Sequence, residues 1–271
     1  MTTVSGEGRV AVVTGASRGA GRGIAAALAN RGWCVYATSR SIGDAPPGVV
    51  AVRIDHGDDD AVEGLFDRVR RESGRLDLLV NNAAAISDDL VGAKPFWEKP
   101  LGLADVLDVG LRSSYVASWC AAPLLVAAGR GLIAFTSSPG SVCYMHGPAY
   151  GAQKAGVDKM VADMAVDFRG TGVATVSIWM GILLTEKMRA AFNSDPAGLA
   201  AMAEHAETPE FTGYVLDALF GDPRLAELSG QALIGAELAQ GYGITDEGGR
   251  RPPSHRDMLG SPRMPSTVVV R

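Results

Sequence analysis

The sequence predicts an α/β protein built as one doubly wound domain, in which a mostly parallel seven-stranded sheet carries helices on both faces. Short apolar runs, typical of strands buried on both faces, recur along the chain, and segments with helical spacing of apolar residues lie between most of them. The first run leads straight into a glycine-rich turn and a helix. A chain of 271 residues can bury such a core, and we place the domain at residues 1–248 and a tail rich in glycine, proline and charge at 249–271.

The composition excludes several classes of function. Hydrophobic residues make up 47% and charged residues 20% of the chain, as in globular proteins. The net charge of −5 argues against a surface for nucleic acid or anionic membranes, and no apolar run is long enough to span a bilayer. The cysteines and histidines lie far apart, so we expect no metal site. We therefore expect a soluble cytoplasmic protein without a nucleic-acid partner.

The first strand and the turn after it indicate a nucleotide site. Residues 10–13 predict a buried strand and residues 22–31 a helix, and residues 14–21 between them read Thr-Gly-Ala-Ser-Arg-Gly-Ala-Gly. Glycines let backbone amides approach a pyrophosphate at the positive end of the helix dipole, although an ordinary strand-to-helix turn has a similar composition. The nucleotide interpretation assigns cofactor contacts to Thr14, Gly15, Ser17, Arg18, Gly19 and Gly21.

The end of the second strand indicates which cofactor fits. Residues 33–38 predict that strand, and Arg40 follows it. At this place an acid suits the free ribose 2′-hydroxyl of NAD, whereas an arginine suits the 2′-phosphate of NADP. Arg18 offers a second cation to the same phosphate. We therefore expect NADP rather than NAD.

The third strand is predicted at residues 49–54. Residues 41–48 before it contain Pro46-Pro47 and are too short and too broken for a helix. Asp55 follows the strand, where its carboxylate suits either an adenine amine or the start of the next helix, and both interpretations stay open.

The fourth strand brings small and polar residues to the same edge of the sheet. Residues 60–73 predict a helix and residues 76–80 the strand, which Asn82 and Ala83 follow closely. Small residues there let a cofactor approach the backbone, and asparagine amides can tie strands together, so both residues join the predicted cofactor site. Residues 85–102 predict a loop that either closes over a substrate or packs on the surface.

A serine and a Tyr–Lys pair indicate proton transfer. Ser138 follows the fifth predicted strand, at residues 131–135. Tyr150 and Lys154 lie four residues apart in a run that favours a helix, so they share one face. A neighbouring ammonium favours the phenolate and brings the tyrosine towards the range where it exchanges a proton. Ser138 would hydrogen-bond a substrate oxygen on which charge develops.

The remaining segments complete the sheet and a cleft. Residues 173–178 and 229–234 predict the last two strands, and residues 211–220 a helix between them. Residues 186–209 predict irregular helices that would cap a substrate cleft. A long helix at 103–128 is apolar on more than one face, which indicates packing against a second subunit or within the protein.

The chain resembles the short-chain dehydrogenase/reductase family from residue 9 to about residue 240. The resemblance is carried, in chain order, by the glycine turn at 14–21, the Asn-Asn-Ala run at 81–83, Ser138 and the pair Tyr150 and Lys154. The resemblance implies a Rossmann fold in which Tyr150 is the general acid or base. Lys154 would lower the pKa of Tyr150 and hold the nicotinamide ribose, and Ser138 would orient the substrate oxygen, with Ser137 as the weaker alternative. It also implies that the nicotinamide lies near Gly181, Ile182 and Thr185.

Within the family, several segments look most similar to the branch called dehydrogenase/reductase SDR family member 1. These are residues 110–112, 137–141, 144–145, 228–230 and 242–243. This resemblance implies NADPH-dependent reduction of carbonyl compounds, including steroids.

Two residues depart from the family pattern. Gly110 stands where the family has an asparagine that helps to hold a water in a proton relay, and Met180 replaces the proline of a Pro-Gly pair. We hypothesise that a water bridges the Gly110 carbonyl to Lys154.

The sequence therefore predicts an NADP(H)-dependent oxidoreductase that acts on the carbonyl or secondary alcohol of a hydrophobic ketone, aldehyde, quinone or steroid-like molecule. An apolar lining is predicted from Met145, Trp179, Met180, Leu183, Leu184 and Met188, although these residues suit a core equally well. The helices at 103–128 and 149–169 predict a homodimer or homotetramer. The alternatives are an NADP-binding regulator or scaffold with little turnover and an NAD-linked alcohol dehydrogenase.

Overall fold

The computed structural model describes residues 8–43 and 48–271. Within these residues, seven parallel strands form the main sheet in the order β3-β2-β1-β4-β5-β6-β9, and β7 pairs with β8 in a separate small sheet. The strands are β1 Val10–Thr14, β2 Cys34–Ser39, β3 Val49–Arg53, β4 Leu78–Asn81, β5 Gly131–Ser137, β6 Val173–Trp179, β7 Ile182–Leu183, β8 Ala206–Glu207 and β9 Gln231–Ile234. The predicted fold class is confirmed. Pro46-Pro47, which we expected to break the crossover before β3, lies outside the described residues.

The helices cover both faces of this sheet. They are α1 Gly19–Asn30, α2 Asp59–Ser73, α3 Ser113–Ala128, α4 Pro148–Asp167, α5 Glu186–Ala191, α6 Pro196–Glu204, α7 Phe211–Gly221, α8 Leu225–Leu228, α9 Gly235–Tyr242 and α10 Arg256–Leu259. One hydrophobic cluster joins the sheet to α2, α3 and α4, and a second joins it to α1, α7 and α8. Alternate residues of β1 divide between them, because Val10 and Val12 face the first cluster and Ala11 and Val13 the second.

The strand order changes direction between β1 and β4. From β1 the chain moves to β2 and β3 on one side, and it then returns to place β4 on the other side of β1. Ligands of open α/β sheets bind in the crevice beyond the carboxyl ends of the strands at such a point. The glycine turn after β1 and the residues after β4 therefore meet at one crevice.

The predicted long helix at 103–128 is wrong in its first part. A 3₁₀ turn at Leu101–Ala104 and a π-helical turn at Leu107–Arg112 precede α3, and the helical dihedrals are lost at Val109 and Gly110. Gly110 has a φ of 150°, a conformation that residues with a side chain rarely adopt. Glycine thus permits a break that the apolar pattern does not reveal.

The segment from 182 to 208, which we call the lid segment, is more ordered than the sequence suggests. Helices α5 and α6 lie between β7 and β8, which pair in parallel through Ile182 with Ala206 and Leu183 with Glu207. Arg250, which lies on the tail side of the predicted domain boundary, forms an ion pair with Asp246 at 2.9 Å.

Among the described residues, no helix is long and apolar enough to cross a membrane.

Candidate active site

The glycine turn after β1 is packed directly against the residues that follow β4. Gly15 and Gly19 have φ values of 67° and 53°. A Cβ atom on Gly15 would lie 2.7 Å from Ala83 Cα, and one on Gly21 would lie 2.4 Å from both Asn82 Nδ2 and the Gly15 carbonyl oxygen. No side chain fits at either place, so the glycine pattern reflects both backbone conformation and close packing.

Side chains from the predicted cofactor site hold this turn together. Thr14 Oγ1 accepts hydrogen bonds from the backbone N–H groups of Asn82 and Ala83, both at 2.9 Å. In return, Asn82 Nδ2 donates to the carbonyl oxygens of Thr14 at 2.9 Å and Gly15 at 3.1 Å. The structure therefore brings Thr14, Asn82 and Ala83 to the predicted site, where their polar groups fix the backbone of the turn.

The N-terminus of α1 already carries a carboxylate. The Gly19 N–H donates to Glu186 Oε2 at 3.1 Å, and the residue before it, Arg18, is extended and gives the helix no side-chain cap. An anion at this place is stabilised by the unpaired amides and the helix dipole. The carboxylate of Glu186 stands in for a phosphate oxygen, so the turn fits the pyrophosphate of a dinucleotide.

Two predicted cations lie at the ends of neighbouring strands. Arg18 and Arg40 are both exposed, and in the described part of the chain neither side chain makes a hydrogen bond or ion pair. Ser39 Oγ donates to Ser17 Oγ at 3.0 Å, which links the turn after β1 to the end of β2. The predicted 2′-phosphate residues thus follow two neighbouring strands, Arg18 in the turn after β1 and Arg40 directly after β2.

Asp55 does not begin the next helix. Its carboxylate accepts from the Gly57 N–H at 2.9 Å, whereas Asp58 caps α2 by accepting from the Ala61 N–H at 3.1 Å. Of the two interpretations of Asp55, the helix-start one is wrong because the chain turns for three more residues before the helix. Asp55 is exposed at the carboxyl end of β3, and its contact with an adenine stays a prediction.

Ser138, Tyr150 and Lys154 come together beyond the carboxyl end of β5. Ser138 Oγ and Tyr150 Oη are 3.1 Å apart, and Ser138 Oγ also accepts from the Gly140 N–H at 3.2 Å. Lys154 Nζ donates to the Thr136 carbonyl at 3.1 Å and lies 5.4 Å from the centroid of the Tyr150 ring. One substrate oxygen could contact the two hydroxyl groups at the same time.

The alternative serine is placed elsewhere. Ser137 is fully buried in β5, and its hydroxyl has no hydrogen-bond partner among residues 8–43 and 48–271. The geometry therefore favours Ser138 as the partner of Tyr150.

Burial shifts the pKa values of Tyr150 and Lys154 in opposite directions. Desolvation raises the pKa of the Tyr150 phenol, against a smaller lowering by the hydrogen bond with Ser138. Desolvation also lowers the pKa of Lys154 to about 8. Burial outweighs the opposing hydrogen bond with Ser138 in this structure, and the expectation that Lys154 lowers the pKa of Tyr150 stays a prediction.

The Gly110 carbonyl is not free to hold the hypothesised water. It accepts from Gln153 Nε2 at 3.1 Å and from Ser114 Oγ at 2.8 Å. A carbonyl oxygen has two lone pairs, so both are already used, and the hypothesis that it bridges to Lys154 is wrong. The contact with Gln153 could not be predicted from the sequence, because no motif spacing connects this residue to residue 110.

Of the residues predicted beside the nicotinamide, Thr185 lies against the glycine turn. Thr185 Cγ2 would lie 3.5 Å from a Cβ on Gly19, and Thr185 Oγ1 caps α5 by accepting from the Met188 N–H at 3.2 Å. Ile182 is partly exposed, and Gly181 packs against the side chain of Glu207. Of these residues, Thr185 thus lies next to the glycine turn, whereas Gly181 lies against Glu207.

The predicted apolar lining is only partly accessible. Trp179 and Leu184 are buried, and Trp179 Nε1 donates to Asp158 at 2.9 Å, so these two belong to the core. Met145 Sδ lies 3.9 Å from Ser138 Oγ and borders the site.

His146 is a further residue at this site that the sequence analysis missed. It has a φ of 60°, the one positive value outside glycine in the described residues, and its ring stacks edge-on against Tyr150 at 5.0 Å. Backbone strain of this kind has no sequence signal and often accompanies functional sites.

Comparisons with known proteins give consistent results. A family model described as short chain dehydrogenase matches residues 9–196. Dehydrogenase/reductase SDR family member 1 of Homo sapiens is 41% identical over 267 residues, which cover 90% of this chain and 84% of that protein. The 2-dehydro-3-deoxy-D-gluconate 5-dehydrogenase of Pseudoalteromonas atlantica is 31% identical, covering 68% and 76%.

A solved structure supports the fold. The ligand-free aldohexose dehydrogenase of Thermoplasma acidophilum superimposes with a TM-score of 0.72 and covers 84% of this chain and 92% of that one, at 24% identity.

Proposed function

This chain belongs to the short-chain dehydrogenase family, and we propose that it transfers hydride between NADP(H) and the carbonyl or secondary alcohol of a hydrophobic substrate. Family membership establishes an oxidoreductase that uses a nicotinamide cofactor on CH–OH or carbonyl groups. The resemblance to the family member 1 branch is confirmed by the identity over most of the chain. The observation that carries the finer proposal is the 3.1 Å contact between Ser138 Oγ and Tyr150 Oη in the crevice.

The nicotinamide, when bound, supplies or accepts the hydride, and the residues of the chain handle the proton. Because burial raises the pKa of Tyr150, the phenol keeps its proton at neutral pH and suits the role of acid in carbonyl reduction. Ser138 would donate to the substrate oxygen as negative charge develops on it. Lys154, fixed by the Thr136 carbonyl, would hold the ribose hydroxyls with its remaining N–H groups.

The preference for NADP is supported by Arg18 and Arg40. Both arginines are exposed, Arg18 in the turn after β1 and Arg40 directly after β2, and neither side chain has a partner in the described residues. A 2′-phosphate would pair with them, whereas NAD offers no charge at that position. We expect NADPH to bind at least about tenfold more tightly than NADH, or about 1.4 kcal/mol. Equal dissociation constants in a fluorescence titration would contradict the NADP assignment.

The hydrophobic substrate class is supported by exposed aromatic side chains in the loop at 85–102 and in the segment that follows Ser138. Phe96 and Trp97 are 60% and 72% exposed, and their rings stack edge-on at 5.3 Å in the loop at 85–102. Tyr144, close to Ser138 in sequence, is 81% exposed. Such rings contribute large apolar contact areas to a ligand.

Association into a homodimer or homotetramer is supported by the outer face of α3. Tyr115, Trp119 and Val126 are exposed there at 54%, 65% and 41%. Covering this helix with its copy would remove apolar surface from water. Light scattering should therefore give a mass of at least two chains.

The activity is tested by NADPH consumption with wild type and Tyr150→Phe over a panel of diketones, quinones, aromatic aldehydes and ketosteroids. We expect Tyr150→Phe to lose about 10²- to 10⁴-fold in kcat while it binds NADPH as wild type does, because only the proton donor is removed. Tight NADPH binding without turnover in either protein would instead favour the regulator or scaffold.

A further inference from the structure

A carboxyl group is buried beneath the segment that we assign to the nicotinamide. Glu207 lies in β8 and is only 1% exposed. Its Oε1 accepts from Thr212 Oγ1 at 3.4 Å, whereas its Oε2 has no hydrogen-bond partner among the described residues. The carboxyl group is therefore poorly compensated for a buried anion.

This carboxyl group packs against the backbone of residues 181–184. A Cβ atom on Gly181 would lie 3.0 Å from Glu207 Oε2, so glycine leaves the space that the carboxyl group fills. The backbone of Glu207 pairs with Leu183 and accepts from the Leu184 N–H at 2.9 Å. Both the side chain and the backbone of Glu207 therefore position this segment.

Glu207 is a neutral acid near pH 7. Desolvation raises its pKa to about 8, and Asp246 adds to this rise, while the Gly181 N–H and the Thr212 hydroxyl act in the opposite direction. The Gly181 N–H faces the carboxyl group without forming a hydrogen bond of regular geometry with Oε2. Arg250 does not offset the charge of Glu207, because it is paired with Asp246.

Other charged groups lie on the neighbouring elements. Around an adjoining cavity of about 500 Å³ these are Glu186, Arg189, Glu210, Asp246 and Glu247.

We infer that Glu207 positions residues 181–185 as a neutral carboxylic acid, and that its ionisation displaces this segment and weakens cofactor binding. The inference rests on the proposed function, since the segment contacts a cofactor only if the chain binds NADP(H). An ionised Glu207 would face Gly181 and the carboxylate of Asp246 without a cation of its own. Burying such a charge is costly, so the segment must move until water reaches the carboxylate.

The test uses three variants. Glu207→Gln keeps the size and the neutral polar group at every pH, and Glu207→Leu removes the polar contacts. Glu204→Gln is the matched control, because Glu204 is an exposed carboxylate three residues earlier in the same segment.

The first measurement needs no cofactor. The amide resonance of Gly181 is followed by NMR from about pH 6 to about pH 9. We expect it to shift with a midpoint at about pH 8 in wild type and in Glu204→Gln, the pKa of Glu207, and to shift much less in Glu207→Gln, where Lys154 still titrates in this range. A constant resonance in wild type would overturn the inference, because Glu207 would then not ionise beside Gly181.

The second measurement is the Kd for NADPH over the same pH range. Lys154 also titrates near pH 8, but it does so in every variant, so the comparison with Glu207→Gln isolates Glu207. We expect the wild-type Kd to rise about tenfold more than that of Glu207→Gln between about pH 7 and about pH 9. Glu207→Leu should raise the KM for NADPH at every pH and leave kcat at saturating NADPH nearly unchanged.

The outcomes separate this inference from the proposed function. Identical pH dependence of the Kd in wild type and Glu207→Gln would overturn the positioning role and leave the proposed function intact. Absence of NADPH and NADH binding in wild type at every pH would overturn the proposed function, and the positioning role with it.

Discussion

The two sides of the cofactor crevice are held in different ways. The glycine turn at residues 14–21 is fixed by backbone groups and by contacts so close that no Cβ fits at Gly15 or Gly21. The lid segment at 182–208 is fixed by a two-residue strand pair and by carboxylates, among them Glu186 and Glu207. We therefore expect the turn to be insensitive to pH and the lid segment to respond to pH and charge.

The largest expected effect is at the turn. Gly21→Ala places a Cβ 2.4 Å from Asn82 Nδ2 and the Gly15 carbonyl, so α1 must move away from the turn and the Asn82 side chain must shift. We expect the free energy of unfolding to fall by about 3 kcal/mol or more and cofactor binding to be lost. Urea denaturation and NADPH titration measure both.

The control is Gly64→Ala in α2, where a Cβ meets nothing within 4 Å. Alanine favours a helix, so this variant should be more stable by about 0.5–1 kcal/mol. If the two alanine variants behaved alike, close packing would not be what fixes the turn.

Breaking the ion pair behind the lid segment should have the next largest effect. Arg250→Gln leaves the carboxylate of Asp246 buried without its cation, although the Thr208 N–H and hydroxyl still donate to it. We expect a loss of about 2 kcal/mol in the free energy of unfolding and faster amide hydrogen exchange in residues 203–208. Arg251→Gln changes an exposed arginine next to it and should stay within about 0.5 kcal/mol of wild type. Equal exchange rates in the two variants would contradict the role of the pair.

Stability should pass through a minimum near pH 8. The pKa of Glu207 is raised from 4.5 to about 8, so between these values the folded protein keeps a proton that the unfolded chain releases, and the Glu207 contribution falls as pH rises. The opposite contribution of His56, whose pKa is lowered from 6.5 to about 4, is complete near pH 6.5, so the net fall is expected above that pH. The pKa of Lys154 is lowered from 10.5 to about 8, so above pH 8 the unfolded chain holds the extra proton and stability rises again.

The Glu207 contribution is isolated by comparison with Glu207→Gln. Chemical denaturation should show that the stability difference changes by up to about 1.4 kcal/mol per pH unit below pH 8 and levels off above it. Parallel stability curves for the two proteins would contradict a raised pKa of Glu207.

The smallest expected effect concerns the carboxylate on the turn. NADPH must displace Glu186 from the Gly19 N–H if its pyrophosphate occupies the N-terminus of α1. We expect Glu186→Ala to tighten NADPH binding about two- to fivefold, which corresponds to the usual strength of a charge at a helix end. Glu204→Gln should leave the Kd unchanged. Weaker binding in Glu186→Ala would show that Glu186 supports the cofactor site.

The contrast between the glycine turn and the lid segment also explains which features the sequence could predict. The strands, the glycine turn and the pairing of Tyr150 with Lys154 depend on neighbours within a few positions, and local patterns report them. Ser138 could be predicted because it directly follows β5 at the edge where ligands bind.

The remaining features depend on contacts between distant parts of the chain. Gly19 and Glu186 are 167 residues apart, and the Gly110 carbonyl meets Gln153 43 residues later. The break before α3, the strand pair of the lid segment and the burial of Glu207 follow from such contacts, and no spacing rule connects the residues involved. The raised pKa of Tyr150 could not be predicted for a related reason, because burial is a property of the whole fold.

The hydrogen bonds between the glycine turn and the residues after β4 also determine when this site can form as the chain is synthesised. The Asn82 N–H and the Thr14 hydroxyl that it meets are 68 residues apart, and β2, β3 and α2 lie between them in the chain. A nascent chain that stops before β4 contains every glycine of the turn but not the residues that hold it. We therefore expect the ability to capture a dinucleotide to arise only after residue 83 has left the ribosome and β4 has docked beside β1.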